Sequence, residues 1–196
     1  MALNSARLTH LQTHLLFQKP KTQLEFYIKQ GSPECILRYV DLGGKPFGEK
    51  YMEGLAQEYF RMTKRYDSGH DHVKMGKTIE QKSSRYCANG SDWKWQHIEL
   101  DHQWDHLMLT GLDFHEIRFF IAPRRTVLTI RSLGVMTGQG KQGNPQQAYW
   151  FSRSDFKKKH IRFEDYFTEL FTEDDLNRYL RFQKDAELGL DETHGP

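Results

Sequence analysis

The spacing of apolar and polar residues changes along the chain, and the first third reads mainly as helical. Near the N-terminus, leucines recur at helical spacing, which predicts a helix over residues 5–18. Short apolar runs at residues 24–28 and 35–40, separated by Gly-Ser-Pro, predict a pair of short strands. The apolar positions of residues 47–63 return to a helical repeat, so a second helix is expected there.

The middle of the chain has the two-residue period of β-strands. Residues 71–73 and 78–82 flank a Lys-Met-Gly-Lys turn, which predicts a tight hairpin. The pattern further predicts a helix at residues 91–104, strands at 106–109, 116–122, 126–130 and 148–151, a glycine-rich loop at 134–147 and a terminal amphipathic helix at 163–184. Helices around a β-rich middle predict an α/β (α+β) single domain, with a central mixed β-sheet flanked by helices.

Charge is distributed unevenly, although the 196 residues sum to a net charge of only +2. Residues 121–162 hold nine Lys or Arg and one acid, whereas residues 163–196 hold ten acids and three bases. A basic block of this size is typical of a surface for polyanions. A solvated basic face that the acidic terminal segment neutralises is an equally good interpretation.

The composition of the chain indicates the cellular compartment in which we expect the protein. The chain has no long apolar run, and its first residues lack the apolar core of a signal peptide. Two cysteines, Cys35 and Cys87, make no disulfide framework. We therefore expect a cytoplasmic protein without a membrane partner.

The predicted hairpin carries a set of residues suited to metal-assisted hydrolysis. In a strand, Glu80 and Lys82 project to the same face, and the hairpin brings Asp71 beside Glu80. Two carboxylates at one point repel each other unless a cation neutralises them. Hard oxygen ligands of this kind suit Mg²⁺, which also accepts phosphate oxygens. A solvated Glu-Lys ion pair is the competing explanation of the same Glu-Gln-Lys segment.

These residues resemble the PD-(D/E)xK nuclease superfamily, best known from type II restriction endonucleases. The resemblance covers residues 48–122: an acid-bearing helix, then Asp71, then Ile-Glu-Gln-Lys-Ser with Glu80 and Lys82. It implies a restriction-endonuclease-like core in which Asp71 and Glu80 bind Mg²⁺, with Mn²⁺ as a substitute. It also implies that Lys82 activates or orients the metal-bound water that attacks a phosphodiester of double-stranded DNA.

Several positions of this resemblance stay open. Asp67 competes with Asp71 as the first ligand, because spacing does not distinguish them, and His70 stands where the family has proline. Accessory roles fall on four further residues: Glu49, Glu53, Gln96 and His97.

The basic block contains the candidate DNA contacts. Its Gly-rich loop is rich in Gln and Asn, whose amides pair with adenine, and its Lys and Arg side chains read guanine or phosphate. The candidates are Arg124, Arg125, Gln139, Lys141, Gln142, Asn144, Gln146, Arg153, Lys157 and Lys158. A polar loop without a partner is the alternative.

Six of the ten histidines lie between His70 and His115. Asp101-His102 and Asp105-His106 allow a zinc site or a ββα-type nuclease, although hydrogen-bonded or surface histidines explain them better.

The leading hypothesis is a Mg²⁺-dependent endodeoxyribonuclease of restriction type. One nuclease domain would have an N-terminal helix and strands (1–45), a catalytic core (46–122), a DNA-contact region (123–162) and an acidic helix and tail (163–196). By analogy with the family we expect a homodimer, because cutting a duplex needs two sites. The alternatives are a non-catalytic nucleic-acid-binding module of the same fold and a repair or structure-specific phage-type nuclease.

Overall fold

Two β-sheets, one of six strands and one of three, organise the part of the chain that the structure describes. The computed structural model describes residues 3–16, 18–42, 46–64, 69–87, 92–139 and 148–187. The strands are β1 Thr63–Lys64, β2 His72–Lys74, β3 Lys77–Arg85, β4 Lys94–Glu99, β5 His106–Leu112, β6 Ile117–Pro123, β7 Thr137–Gln139, β8 Ala148–Ser152 and β9 Thr168–Leu170. Helices pack against these sheets, so the predicted α+β class with a central mixed sheet is confirmed.

Three helices form the N-terminal region: α1 Ser5–Leu15, α2 Gln23–Lys29 and α3 Glu34–Leu42. The helix predicted near the N-terminus is confirmed, but the strands predicted at residues 24–28 and 35–40 are wrong. Thr22 and Glu25 form a capping box that starts α2, and the buried side chains of α2 and α3 recur every three or four residues. A short apolar run fits a buried helix as well as a strand, and the prediction of strands relied on the short length of these two runs.

The helix predicted at residues 47–63 is confirmed for most of its length. It begins as a π-helix, Pro46–Met52, and continues as α4, Glu53–Tyr59. Arg61 then takes a positive φ of 48°, which turns the chain into β1. Glu53 is therefore the first residue of α4, at the junction of two helical geometries.

The six-stranded sheet has the order β1-β2-β3-β5-β6-β9. β3 and β5 are parallel, and the other pairs are antiparallel. All seven residues of β5 are buried, which makes β3 and β5 the centre of the domain. The predicted hairpin and the strands predicted at residues 106–109 and 116–122 are confirmed.

The three-stranded sheet has the order β4-β8-β7 and corrects two predictions. Residues 94–99 form β4 rather than a helix, with Trp95 and Ile98 buried and a bulge between them. Residues 137–139 form β7 within the segment predicted as a loop. The strand predicted at residues 148–151 is confirmed as β8.

A helix replaces the strand predicted at residues 126–130. This helix, α5, spans Arg124–Ser132 and buries Val127 and Ile130, which lie three residues apart on one face. The β-branched residues favour a strand locally, but the packing of that face decides the conformation.

The acidic C-terminal segment is also more divided than predicted. A short helix, α6 Arg153–Lys158, precedes a 3₁₀ turn at Phe163–Asp165, then β9, and α7 begins only at Glu173. The single helix predicted over residues 163–184 is therefore wrong in its first half, because β9 pairs with β6 at the edge of the large sheet. Thr172 accepts the backbone amide of Asp175 at 3.2 Å and so caps α7.

Aromatic side chains fill the space between the two sheets. The indoles of Trp93 and Trp95 are buried, and the Trp95 ring stacks on Phe163 with centroids 5.7 Å apart. Gly111 makes room for the Trp93 indole, because a β-carbon at residue 111 would lie 2.6 Å from Cε2 of Trp93. No helix among the described residues has the length and apolar character needed to cross a membrane.

Candidate active site

The β2–β3 hairpin places Asp71 opposite the start of the Glu-Gln-Lys segment. Met75 and Gly76 occupy the turn with φ of 51° and 76°, the two positive values that a type I′ hairpin requires. The backbone amide of Asp71 donates to the carbonyl of Ile79 at 3.1 Å. Oδ2 of Asp71 accepts the backbone amide of Gln81 at 2.7 Å. The carboxylate is thus held against the middle of β3.

Glu80 and Lys82 share one face of β3, as the two-residue period predicts. Nζ of Lys82 lies 2.5 Å from Oε1 of Glu80. The Glu80 residue is 4% exposed, so this ion pair is far less solvated than an ordinary surface pair. A solvated Glu-Lys pair, the competing explanation of the sequence, is wrong for this position.

The electrostatics of the pair indicate an excess of negative charge. Burial raises the pKa of Glu80, the Asp71 carboxylate raises it further, and Lys82 opposes both. Burial by itself would lower the pKa of Lys82, but the charge and hydrogen bond of Glu80 outweigh burial and raise it. Lys82 therefore holds its proton as an ammonium.

Glu53 adds a third carboxylate at the start of α4. Burial, and next the charge of Asp71, raise the pKa of Glu53 to about 8. Lys64 and Lys82 lower it, and Glu49 raises it. Of the two accessory acids suggested by the sequence, Glu53 therefore interacts with Asp71 and Lys82, and the exposed Glu49 interacts with Glu53. Asp67, the rival of Asp71, lies outside the described residues.

The end of β4 contributes charges that the sequence did not single out for this site. Glu99 raises the pKa of Lys82, and His102 lowers the pKa of Glu80. Nδ1 of His102 lies 3.2 Å from Oε2 of Glu99. No local pattern marks Glu99, because its proximity to Lys82 depends on the packing of the small sheet against the large one.

Gln96 and His97, expected on a helix, lie on β4 at its bulge. Both are exposed, and His97 has a positive φ of 58°. The backbone amide of His97 donates to Oε1 of Gln139 at 2.7 Å, and Nε2 of Gln139 lies 3.4 Å from Oε1 of Gln96. The structure therefore brings two accessory candidates beside one candidate DNA contact.

Much of the basic block is engaged within the protein. Arg124 donates to the carbonyls of Leu100 and His102 and lies over the Trp104 ring, 5.0 Å from its centroid. Arg153 pairs with Glu164.

Other basic candidates differ in their freedom. Lys158 lies 2.6 Å from Asp155, and Arg125 donates to Gln183 at 2.6 Å. Lys157 is exposed. Four candidates lie outside the described residues: Lys141, Gln142, Asn144 and Gln146.

The donor set of the hairpin fits a hard cation. Within the described ranges, no group of three or more His, Cys, Asp or Glu side chains has the arrangement of a metal site. Mg²⁺, however, typically takes one or two protein carboxylates together with phosphate oxygens and water. Asp71 and Glu80 supply two such carboxylates. The structure adds no support for a zinc site built from histidines. His72 and His106 are each buried, and His102 pairs with Glu99.

Comparisons with known proteins indicate no family for this chain, so its class has to be inferred from the geometry of the site. No family model matches the chain, and no curated protein is detectably similar to it.

Proposed function

We propose that this protein is a Mg²⁺-dependent endodeoxyribonuclease that hydrolyses phosphodiester bonds of double-stranded DNA in the cytoplasm, by the chemistry of PD-(D/E)xK enzymes. One observation carries the proposal: a buried Glu80–Lys82 pair on β3, at 2.5 Å, with Asp71 held beside it. A buried ion pair is a poor source of stability, because desolvation offsets its attraction. The position of this pair among further carboxylates is better explained by a catalytic role than by a contribution to stability.

Each protein group has a separate task in this mechanism. Mg²⁺, when bound by Asp71 and Glu80, would polarise a phosphoryl oxygen and acidify water. The Lys82 ammonium, anchored on Oε1 of Glu80, is available to stabilise negative charge that develops on the phosphoryl group. Glu53, with a pKa of about 8, exchanges a proton near neutral pH and adds negative charge when it ionises.

A plasmid-nicking assay with Mg²⁺ tests the proposal. We expect Lys82→Met and Glu80→Gln to reduce the rate by about 10²–10³-fold, the usual effect of removing a group that stabilises transition-state charge. Lys77→Ala, at the start of the same strand, is the matched control and should cut normally. Equal cleavage by Lys82→Met and the wild type would refute the mechanism. Fragments of fixed length would indicate a site-specific enzyme, and branched-substrate preference a structure-specific one.

The limited exposure of Glu80 favours a second candidate, a non-catalytic nucleic-acid-binding module of the same fold. In that case Lys82 would neutralise a buried acid, and the exposed bases would bind DNA. DNA binding without cleavage under any divalent cation distinguishes this candidate.

A homodimer belongs to the nuclease proposal, because two antiparallel strands require two sites. Leu16, which follows α1, is 73% exposed and is available for such an interface. Light scattering of the purified protein, alone and with duplex DNA, measures the oligomeric state.

A further inference from the structure

The side chain of Gln81 makes a buried network on the far face of β3. Gln81 lies between Glu80 and Lys82 in sequence and is 3% exposed. Its Nε2 donates to the carbonyl of Met52 at 3.0 Å and to Oγ1 of Thr110 at 2.8 Å. Its Oε1 lies 2.8 Å from Nε2 of His72, whose ring N–H donates in this arrangement.

The partners of Gln81 are the chain neighbours of the acids in the site. Met52 immediately precedes Glu53, and His72 immediately follows Asp71. The backbone amide of Gln81 also donates directly to Oδ2 of Asp71 at 2.7 Å. One residue is therefore bonded to the segments that carry the acids from α4, β2 and β3.

A buried amide with all its polar atoms satisfied fixes geometry strongly. Replacing it with an apolar side chain removes its bonds to the Met52 carbonyl and the Thr110 hydroxyl and leaves Nε2 of the buried His72 without this acceptor. The positions of Glu53 and Asp71 relative to β3 would change with them. A shift of about 1 Å is enough to impair a reactive site.

We propose that Gln81 is a positioning residue that fixes the separation of Asp71, Glu53 and the Glu80–Lys82 pair for a shared cation. The inference rests on the proposed nuclease function and adds the residue that aligns its site. The Gln81 side chain lies on the opposite face of β3 and contacts His72, Met52 and Thr110, and only the backbone amide of Gln81 reaches Asp71.

The test compares Gln81→Met, which has a similar volume, with Tyr27→Phe. The Tyr27 hydroxyl is buried, donates to the carbonyl of Leu112 at 2.7 Å and accepts the amide of Tyr86 at 2.7 Å, far from these acids in the fold. Both variants lose buried hydrogen bonds, so both should lower the urea midpoint. Two further readouts are Mn²⁺ binding without DNA, followed by electron paramagnetic resonance, and kcat and KM for Mg²⁺-dependent plasmid cleavage.

We expect Gln81→Met to bind Mn²⁺ about 10–100-fold more weakly and to lose kcat to a similar degree, as outer-shell changes do. KM for DNA should change little, and Tyr27→Phe should match the wild type in both readouts. If Gln81→Met does not fold, Gln81→Glu, which retains the acceptor for His72 but not the donor for Met52, should show the same losses.

Three outcomes overturn the inference. The first is wild-type Mn²⁺ affinity and kcat in the folded Gln81 variants. The second is a loss of Mn²⁺ affinity and kcat in Tyr27→Phe as large as that in Gln81→Met, which would reflect lowered stability alone. The third is a wild-type protein that neither binds Mn²⁺ nor cuts DNA, which overturns the nuclease proposal as well. Because the first two leave wild-type cleavage intact, they separate failure of this inference from failure of the proposed function.

Discussion

The carboxylate of Asp71 accepts the backbone amide of Gln81 at 2.7 Å, so the acid completes the hydrogen bonding of the hairpin that presents it. Its structural and chemical contributions are therefore separable by substitution. An asparagine retains an oxygen acceptor, whereas an alanine does not.

Asp71→Asn should keep the stability of the protein and abolish Mg²⁺-dependent cleavage, because only the charge is lost. Asp71→Ala should in addition lose about 1 kcal/mol, the usual net worth of one hydrogen bond. Urea unfolding and plasmid nicking measure the two effects. If Asp71→Asn cuts like the wild type, Asp71 is not a ligand and Asp67 takes its place as the candidate.

Glu53 predicts a decline of stability with rising pH. Its folded pKa of about 8 exceeds the ordinary value of 4.5, so between these values the folded state binds more protons than the unfolded state. The stabilising contribution is present below pH 4.5 and is lost as the pH rises through about 8. Urea midpoints from pH 5 to pH 9 should fall less steeply for Glu53→Gln. Parallel slopes for the two proteins would exclude Glu53 as the source.

Asp155 predicts the opposite pH dependence. It accepts the Ser152 amide at 2.8 Å and lies 2.6 Å from Lys158, and these bonds outweigh burial and lower its pKa below 3.8. Its contribution is present above pH 3.8 and is lost as the pH falls through the lower, folded value. Asp155→Ala should cost about 1 kcal/mol at pH 7, a typical capping effect. Thermal unfolding at pH 7 and at a series of pH values below 3.8 checks this, and a loss that does not shrink as the pH falls would contradict it.

Gly111→Ala should destabilise the protein by about 1–3 kcal/mol, because its β-carbon would overlap the indole of Trp93. Gly54→Ala is the control, since a β-carbon on this α4 residue meets nothing within 4 Å. That change should stabilise the helix by about 0.5–1 kcal/mol. Both free energies come from urea unfolding, and similar values for the two variants would show that Trp93 moves aside.

The arginines of the basic block should separate into structural and DNA-binding residues. Arg124→Ala removes bonds to the Leu100 and His102 carbonyls and should mainly lower stability. Arg125→Ala and Lys157→Ala should leave stability unchanged, weaken DNA binding and reduce the salt slope by about one unit each. Fluorescence anisotropy at several salt concentrations measures the slope. A normal slope in both exposed variants would remove this surface as the DNA contact.

Local patterns predicted the parts of the site that depend on one hairpin. The alternation along β3 places Glu80 and Lys82 on one face. The turn at Met75 and Gly76, with its two positive φ values, places Asp71 across the hairpin from Glu80. The burial of that pair was not predictable from three common residues. The role of Gln81 was not predictable from local patterns, because its partners Met52 and Thr110 are 29 residues distant on either side.

The sequence by itself determined the fold class, the hairpin and the pairing of an acid with a lysine on β3, because these depend on contacts between near neighbours. Tertiary structure alone decided that residues 94–99 are a strand, that residues 124–132 are a helix and that Arg124 turns inward. Their local preferences are weak or contrary, and burial between the two sheets outweighs them. The same packing removes water from Glu80 and brings Glu53 and Glu99 into electrostatic interaction with Lys82, which changes a common tripeptide into a candidate active site.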